Sequence, residues 1–276
     1  MALTSETKAA PANGNSDAGT PPPPYLGRSV RFVGPHVNVD MNQSPHPKNQ
    51  RGELGKPLFN WYRNTVSKDP LTRVSAPNHF ADRRHFLTNV INRSSKGKVN
   101  PTRVSVDDPA AMTRHIKAVA HYMGADVVGI AKAHPSFLYA GSRYVQDGTA
   151  EDAYQQDSPE DLVRRFPYII QVTTAWDYNK LQAHRHHVGD AAYHVSQMKG
   201  VLILKAIEGY VKELGYTALR GVVTPQAAGV AGGIGELGRN GLVINKNFGA
   251  RIHMPDPILT DLPLMADEPV DIGVED

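Results

Sequence analysis

Apolar and polar residues fall into readable periods only from about Val104 onward. Met112, Ile116, Val119, Ala120 and Met123 recur at helical spacing. Asp107 or Asp108 is placed to cap that helix, with Pro109 in its first turn and Gly124 at its end. The apolar run 126–130 then reads as a buried strand, and 168–174 (Tyr-Ile-Ile-Gln-Val-Thr-Thr) as a second one. A long helix is predicted over 190–214, with Val195, Met198, Leu202, Ala206, Tyr210 and Leu214 as its apolar face and Gly215 as its stop. Two more short strands are predicted at 216–221 and 241–245. Helices alternate with strands, but no crossover unit repeats. The class is α/β or α+β, one sheet with flanking helices.

The first part of the chain reads differently. Residues 1–27 are mostly Ala, Pro, Gly, Ser and Asn, too poor in large apolar side chains to offset the entropy of ordering, and are expected to form a disordered tail. Across 28–103, prolines at 35, 45, 47, 57, 70, 77 and 101 interrupt short apolar clusters such as 58–62. An irregular segment wrapped over a larger core is expected there. Residues 104–276 form the third unit, the regular domain, and within it the polar stretch 141–165 reads as a surface loop ending in a short helix.

Composition narrows the functional classes. The chain has 276 residues, 40% hydrophobic and 21% charged, in the range of ordinary globular proteins. Thirty basic residues against 27 acidic ones leave a net charge of +3, without the clustered basic stripe of a nucleic-acid binder. There is no apolar run long enough to span a membrane and no signal-like start, so a cytoplasmic location is expected. Cysteine is absent, which removes disulfides, thiol nucleophiles and the usual thiolate ligation of iron–sulfur clusters from this chain.

The densest chemical signal is glycine. Gly229, Gly232, Gly233, Gly235, Gly238 and Gly241 lie within thirteen residues, a pattern that permits positive φ and lets a ligand approach the backbone closely. Gly233, Gly235 and Gly238 form a GxGxxG string, but the strand–turn–helix context of a dinucleotide site is lacking. His184, His186 and His187 look superficially like a metal cluster, yet no carboxylate pair completes it, and a solvated loop is the preferred reading. Asp256 and Asp261 flank prolines and are expected to set turns, and Glu236 to satisfy backbone donors.

Several blocks in order resemble the reductive dehalogenase family: 115–117 (His-Ile-Lys), 124–130, 214–216, then Gly-Glu-Leu-Gly-Arg at 235–239, 241–244, Phe248-Gly249 and Thr-Asp-Leu-Pro-Leu at 260–264. The resemblance covers 104–276, with epoxyqueuosine reductases and cobalamin-processing, nitroreductase-like proteins as more distant relatives. It implies an α+β fold with a nitroreductase-like sheet and flanking helices, preceded by the irregular wrapping segment. It further implies a base-off cobalamin and reductive cleavage of carbon–halogen bonds at a cob(I)alamin centre. By the same resemblance Tyr178 is the proton donor and Arg239 its basic partner. Thr174, four residues before the tyrosine, and Trp176 line the substrate side, while Gly232, Gly233, Gly235, Gly238 and His194 fall to the corrinoid. A fixed cation beside a phenol makes proton transfer easier by stabilising phenolate, so the pairing is chemically reasonable. Family members continue with cysteine motifs that hold iron–sulfur clusters. Their absence here implies a C-terminally truncated relative whose electrons come from a separate iron–sulfur protein or domain, and which is inactive alone. The missing signal favours aromatic organohalides as substrates. A non-catalytic corrinoid or tetrapyrrole carrier, and a flavin-dependent reductase on a nitroreductase-like fold, are the alternatives.

Overall fold

The computed structural model describes residues 38–40, 43, 48, 51–57, 97–140, 157–182 and 187–274. The expected tail 1–27, most of the expected wrapping segment 28–103, the polar stretch 141–156 and His184 and His186 lie outside the described residues. The fold has two helical layers around a central antiparallel sheet. Helix α1 (Pro109–Tyr122) leads into β1 (Val127–Lys132), a single 3-10 turn (Pro135–Phe137), α2 (Pro159–Arg165) and β2 (Tyr168–Ala175). The one-turn helix α3 (Tyr178–Leu181) and the long α4 (His187–Glu213) follow, then β3 (Ala218–Arg220) and α5 (Pro225–Ala231). Four short strands complete the order: β4 (Glu236–Leu237), β5 (Val243–Ile244), β6 (Ile252–His253) and β7 (Ile258–Thr260).

The sheet runs β1-β2-β7-β3, every pairing antiparallel, and β6 adds to the far end of β2. Strand β2 is the hub, with Ile170 opposite Ile130 on one side and Ile258 on the other. Its interior is buried along its length because helices cover both faces. Side chains alternate between the layers. Val128, Ile130, Ile170, Val172, Ala218 and Ile258 meet α1 and α4, while Ala131, Ile169, Leu219 and Leu259 meet α2 and α5.

Helix α1 starts as its sequence dictates: the Asp108 carboxylate accepts from Ala110 N at 2.9 Å and Ala111 N at 3.0 Å, and Pro109 takes the position that needs no donor. Helix α4 corrects the sequence-based stripe. Val195 is 51% exposed, Leu202 45%, and Ala206 is exposed, whereas Ile203, Leu204, Ile207 and Val211 carry the core. Both sets have helical spacing, and the sheet chose the set richer in branched side chains. Each of those side chains contributes about 1.5–3 kcal/mol by leaving water. The same face buries Glu208, whose carboxylate meets Lys205 at 3.2 Å, Lys212 at 3.1 Å and Arg220 of β3 at 3.9 Å. These charges join α4 to the sheet edge.

Two described pieces of the N-terminal part lie on this core. Asn38 donates to the carbonyls of Pro135 (2.8 Å) and Leu138 (2.9 Å), and Asn100 N donates to Lys212 O (2.9 Å). Among the described residues no helix is long and apolar enough to cross a membrane.

Candidate functional site

Where β2 leaves the sheet, the chain turns sharply into α3. Asp177 caps the turn, accepting from Lys180 N at 3.2 Å, and the ammonium of Lys180 stands 3.2 Å from the same carboxylate. The backbone hydrogen bond from Lys180, and then its side chain, hold the Asp177 carboxyl below the usual range. This cap sets Tyr178 as the first residue of α3, with its side chain 57% exposed and so reachable from outside. The Arg251 guanidinium lies over the Tyr178 ring, its carbon 4.9 Å from the ring centre. Arg251 also donates to Trp176 O at 3.1 Å, and its own carbonyl accepts from Trp176 N at 2.9 Å. These bonds extend the β2–β6 pairing, in which Ala175 faces Ile252 and Thr174 faces His253.

Aromatic rings fill the corner behind the tyrosine. Trp176 meets Tyr193 of α4 edge to face at 5.3 Å, and Tyr193 meets His253 at 5.8 Å and His194 at 4.9 Å. Burial pushes the Tyr193 phenol above its ordinary pKa, because the anion would lose its hydration there. The Trp176 indole N–H is buried and has no acceptor among the described residues. Thr174 sits fully buried beneath, its hydroxyl donating to Ser196 O at 2.9 Å while Ser196 donates to Thr174 O at 3.0 Å. That exchange locks β2 to α4.

The glycine block adjoins this corner through β6. Ile252 packs with Ile234 and Val243, while His253, on the opposite face of the strand, meets Tyr193. Inside the block the missing side chains are used by the protein itself. A Cβ at Gly235 would stand 2.1 Å from Ile244 O, and one at Gly233 2.5 Å from Glu268 O. Gly232 is closed in by Ala228 O and Gly129, and Gly238 by Asn240 and Ile244. A Cβ added at Gly241 or Gly249, by contrast, would meet nothing within 4 Å. The GxGxxG string runs from the end of α5 into β4, so no helix N-terminus follows it to receive a pyrophosphate. Glu236 acts as its position suggested, its carboxylate accepting from Ile272 N (2.7 Å) and Val274 N (3.1 Å). Asp267 accepts from Ile130 N at 2.7 Å and pairs with Lys117, so the strap 265–274 is fastened at both ends. Asp261, expected to set a turn, accepts from Thr217 N and meets Arg103, each at 2.6 Å.

Trp176, Tyr178 and His194 thus gather at one corner with Thr174 below them. Gly232, Gly233, Gly235 and Gly238 form the adjoining wall, and Arg239 sits exposed at the β4–β5 turn. Arg251, Tyr193 and His253 are additions that sequence reasoning missed. Arg251 and His253 are placed by the β2–β6 register, their only hint being a position just after the Phe248-Gly249 block, and Tyr193 is placed by α4. Among the described residues no group of three or more His, Asp or Glu side chains is arranged to hold a metal.

Comparison with known proteins adds the rest. No family model matches the chain. The fold is that of the catabolic reductive dehalogenase NpRdhA, solved with 3-bromo-4-hydroxybenzoic acid (TM-score 0.68, 22% identity, 87% of this chain and 33% of that one). A further solved structure, described as suggesting a mechanism for B12-dependent dehalogenation, superposes with a TM-score of 0.67 at 21% identity, over 87% of this chain and 33% of that one. In sequence, the tetrachloroethene reductive dehalogenase of Sulfurospirillum multivorans is 22% identical over 191 residues, 60% of this chain and 37% of its own length. That of Desulfitobacterium hafniense is 32% identical over 113 residues, 39% of this chain and 20% of its own. The chain is thus similar in sequence and in fold to reductive dehalogenases, and it spans between a fifth and somewhat over a third of the length of the relatives it matches.

Proposed function

We propose that this chain is the corrinoid-binding part of a reductive dehalogenase, acting in the cytoplasm on aromatic organohalides. The observation that carries the reading is the corner at the end of β2, where an exposed phenol lies under a guanidinium beside a buried, acceptor-free indole N–H. The overall change is R–X + 2 e⁻ + H⁺ → R–H + X⁻. Bound cobalamin in its reduced state supplies the electron pair that breaks the carbon–halogen bond.

The remaining work falls to the protein. Tyr178 delivers the proton to the carbon that loses halide, and its exposure at the first turn of α3 lets substrate reach the phenol oxygen. Arg239, carried by the glycine block, is its basic partner. Thr174 fixes the floor by its bonds to Ser196, and Trp176 held edge to face by Tyr193 gives an apolar aromatic side suited to an aromatic ring. Gly232, Gly233, Gly235, Gly238 and His194 bound the cofactor side. Because the Cβ directions of those glycines are filled from within, the block offers its backbone amides and carbonyls. A flat ligand carrying hydrogen-bond acceptors also fits the buried Trp176 donor. Electrons come from an iron–sulfur protein or domain.

The test is reconstitution of the purified chain with cobalamin. A base-off spectrum is expected, and then turnover of a bromophenol with a chemical reductant strong enough to reach cob(I)alamin. Tyr178→Phe keeps the spectrum and loses about 10²–10⁴ in turnover, the usual contribution of a positioned general acid. Failure to develop the spectrum refutes the corrinoid reading, and full activity of Tyr178→Phe refutes the donor role.

A further inference from the structure

Tyr178 stands on a helix of only one turn, and more than half of its side chain faces solvent. A side chain in that setting samples several rotamers unless something holds it. Among the described residues, the group against its ring is Arg251. We propose that Arg251 is a positioning residue for Tyr178: it clamps the phenol ring in one orientation and anchors that orientation to β2 through Trp176. This inference rests on the donor role proposed for Tyr178.

Three features support the clamp. The guanidinium carbon is 4.9 Å from the Tyr178 ring centre, within the range in which a cation is attracted to the ring face. The same guanidinium donates to Trp176 O at 3.1 Å, so its planar head is fixed at two points. Its backbone is fixed as well, since Trp176 N donates to Arg251 O at 2.9 Å and Ile252 pairs with Ala175. The cation therefore belongs to the sheet, while the tyrosine belongs to the turn beyond it. Lysine at this position would keep the charge over the ring but lose the planar fork that also reaches the Trp176 carbonyl.

The experiment places 3-fluorotyrosine at position 178 of the full chain and follows its ¹⁹F resonance in the cofactor-free protein. Arg251→Met is expected to shift the resonance toward that of free 3-fluorotyrosine and to narrow it, and Arg251→Lys to return it part of the way. Circular dichroism melts of both variants report whether the fold is kept. In the cobalamin-reconstituted, chemically reduced protein, Arg251→Met is expected to lower kcat about two- to thirtyfold, the rate equivalent of one cation–ring contact, with KM for the halide nearly unchanged. A resonance unmoved in both folded variants overturns the clamp, whatever the turnover. An intact clamp signal together with full turnover of Tyr178→Phe overturns the donor role instead, so the two failures are distinguishable.

Discussion

At the end of β2 the protein places large side chains and charges against one another. In the glycine block it removes side chains so that main chain can meet main chain. Trp176, Tyr193 and His253 contact edge to face, and Arg251 spans Trp176 and Tyr178, so these ring and guanidinium contacts depend on side chains that can be trimmed while the β2–β6 backbone pairing stays. Around Gly235 the nearest neighbour is a carbonyl oxygen of β5, and any added carbon must displace a strand. The first region can change its chemistry by substitution while keeping its frame. The second is the frame, and its tolerance for change is correspondingly small.

Gly235→Ala attacks that difference most directly. With Ile244 O 2.1 Å from the new Cβ, the β4–β5 pair must open, and a loss of about 3 kcal/mol or more is expected in chemical denaturation. Glu236→Ala comes next. It strips the acceptor from Ile272 N and Val274 N, costs about 1–3 kcal/mol, and raises hydrogen exchange across 272–274, whereas Glu236→Gln recovers most of the protection. Gly241→Ala is the contrasting substitution within the same block. Its φ of +77° strains an alanine, but the added Cβ would meet nothing within 4 Å, so a loss of only about 1 kcal/mol is expected. If Gly235→Ala and Gly241→Ala cost the same, the close-packing explanation of the block is wrong.

Tyr193→Phe addresses the aromatic side and is the smallest change. Burial raises the Tyr193 pKa, so the native state keeps the phenol protonated above the pH at which the unfolded chain releases it. The stabilisation is complete below the unfolded value, about 10, and is lost as pH rises through the folded one. Denaturation at about pH 9 and about pH 11 should show a steeper alkaline loss in the parent than in Tyr193→Phe. Equal slopes would mean that the phenol is hydrated in the folded protein.

The elements most legible in the sequence were those whose signals are local. The Asp108 cap, Pro109 and the helical spacing after it defined α1, and the run 168–174 defined β2 nearly to the residue. Helix α4 was found with half of its stripe right: Tyr210 and Leu214 pack against the core, but Val195, Leu202 and Ala206 repeat as regularly as Ile203, Ile207 and Val211, and only the sheet distinguishes them. Tyr178 and Trp176 were legible through the Thr-Ala-Trp-Asp-Tyr string, while Arg251 was not. It is brought beside them by an antiparallel pairing between residues some 75 positions apart, and no local pattern encodes a register. The glycines were located correctly, but whether the space they leave is filled by ligand or by the chain is a tertiary property.

The order of the sheet also constrains how the protein is made. Among the described strands, β3 joins the sheet only through β7, although β7 is the last strand to be synthesised. Between the emergence of Arg220 and that of Ile258 a ribosome works for roughly two to eight seconds. During that interval Ala218 and Leu219 have no strand beside them, and the Arg220 guanidinium waits next to a carboxylate on α4 without its sheet. The nascent chain thus carries an open, apolar strand edge until β7 arrives. Chaperone dependence and co-translational aggregation should concentrate in that window.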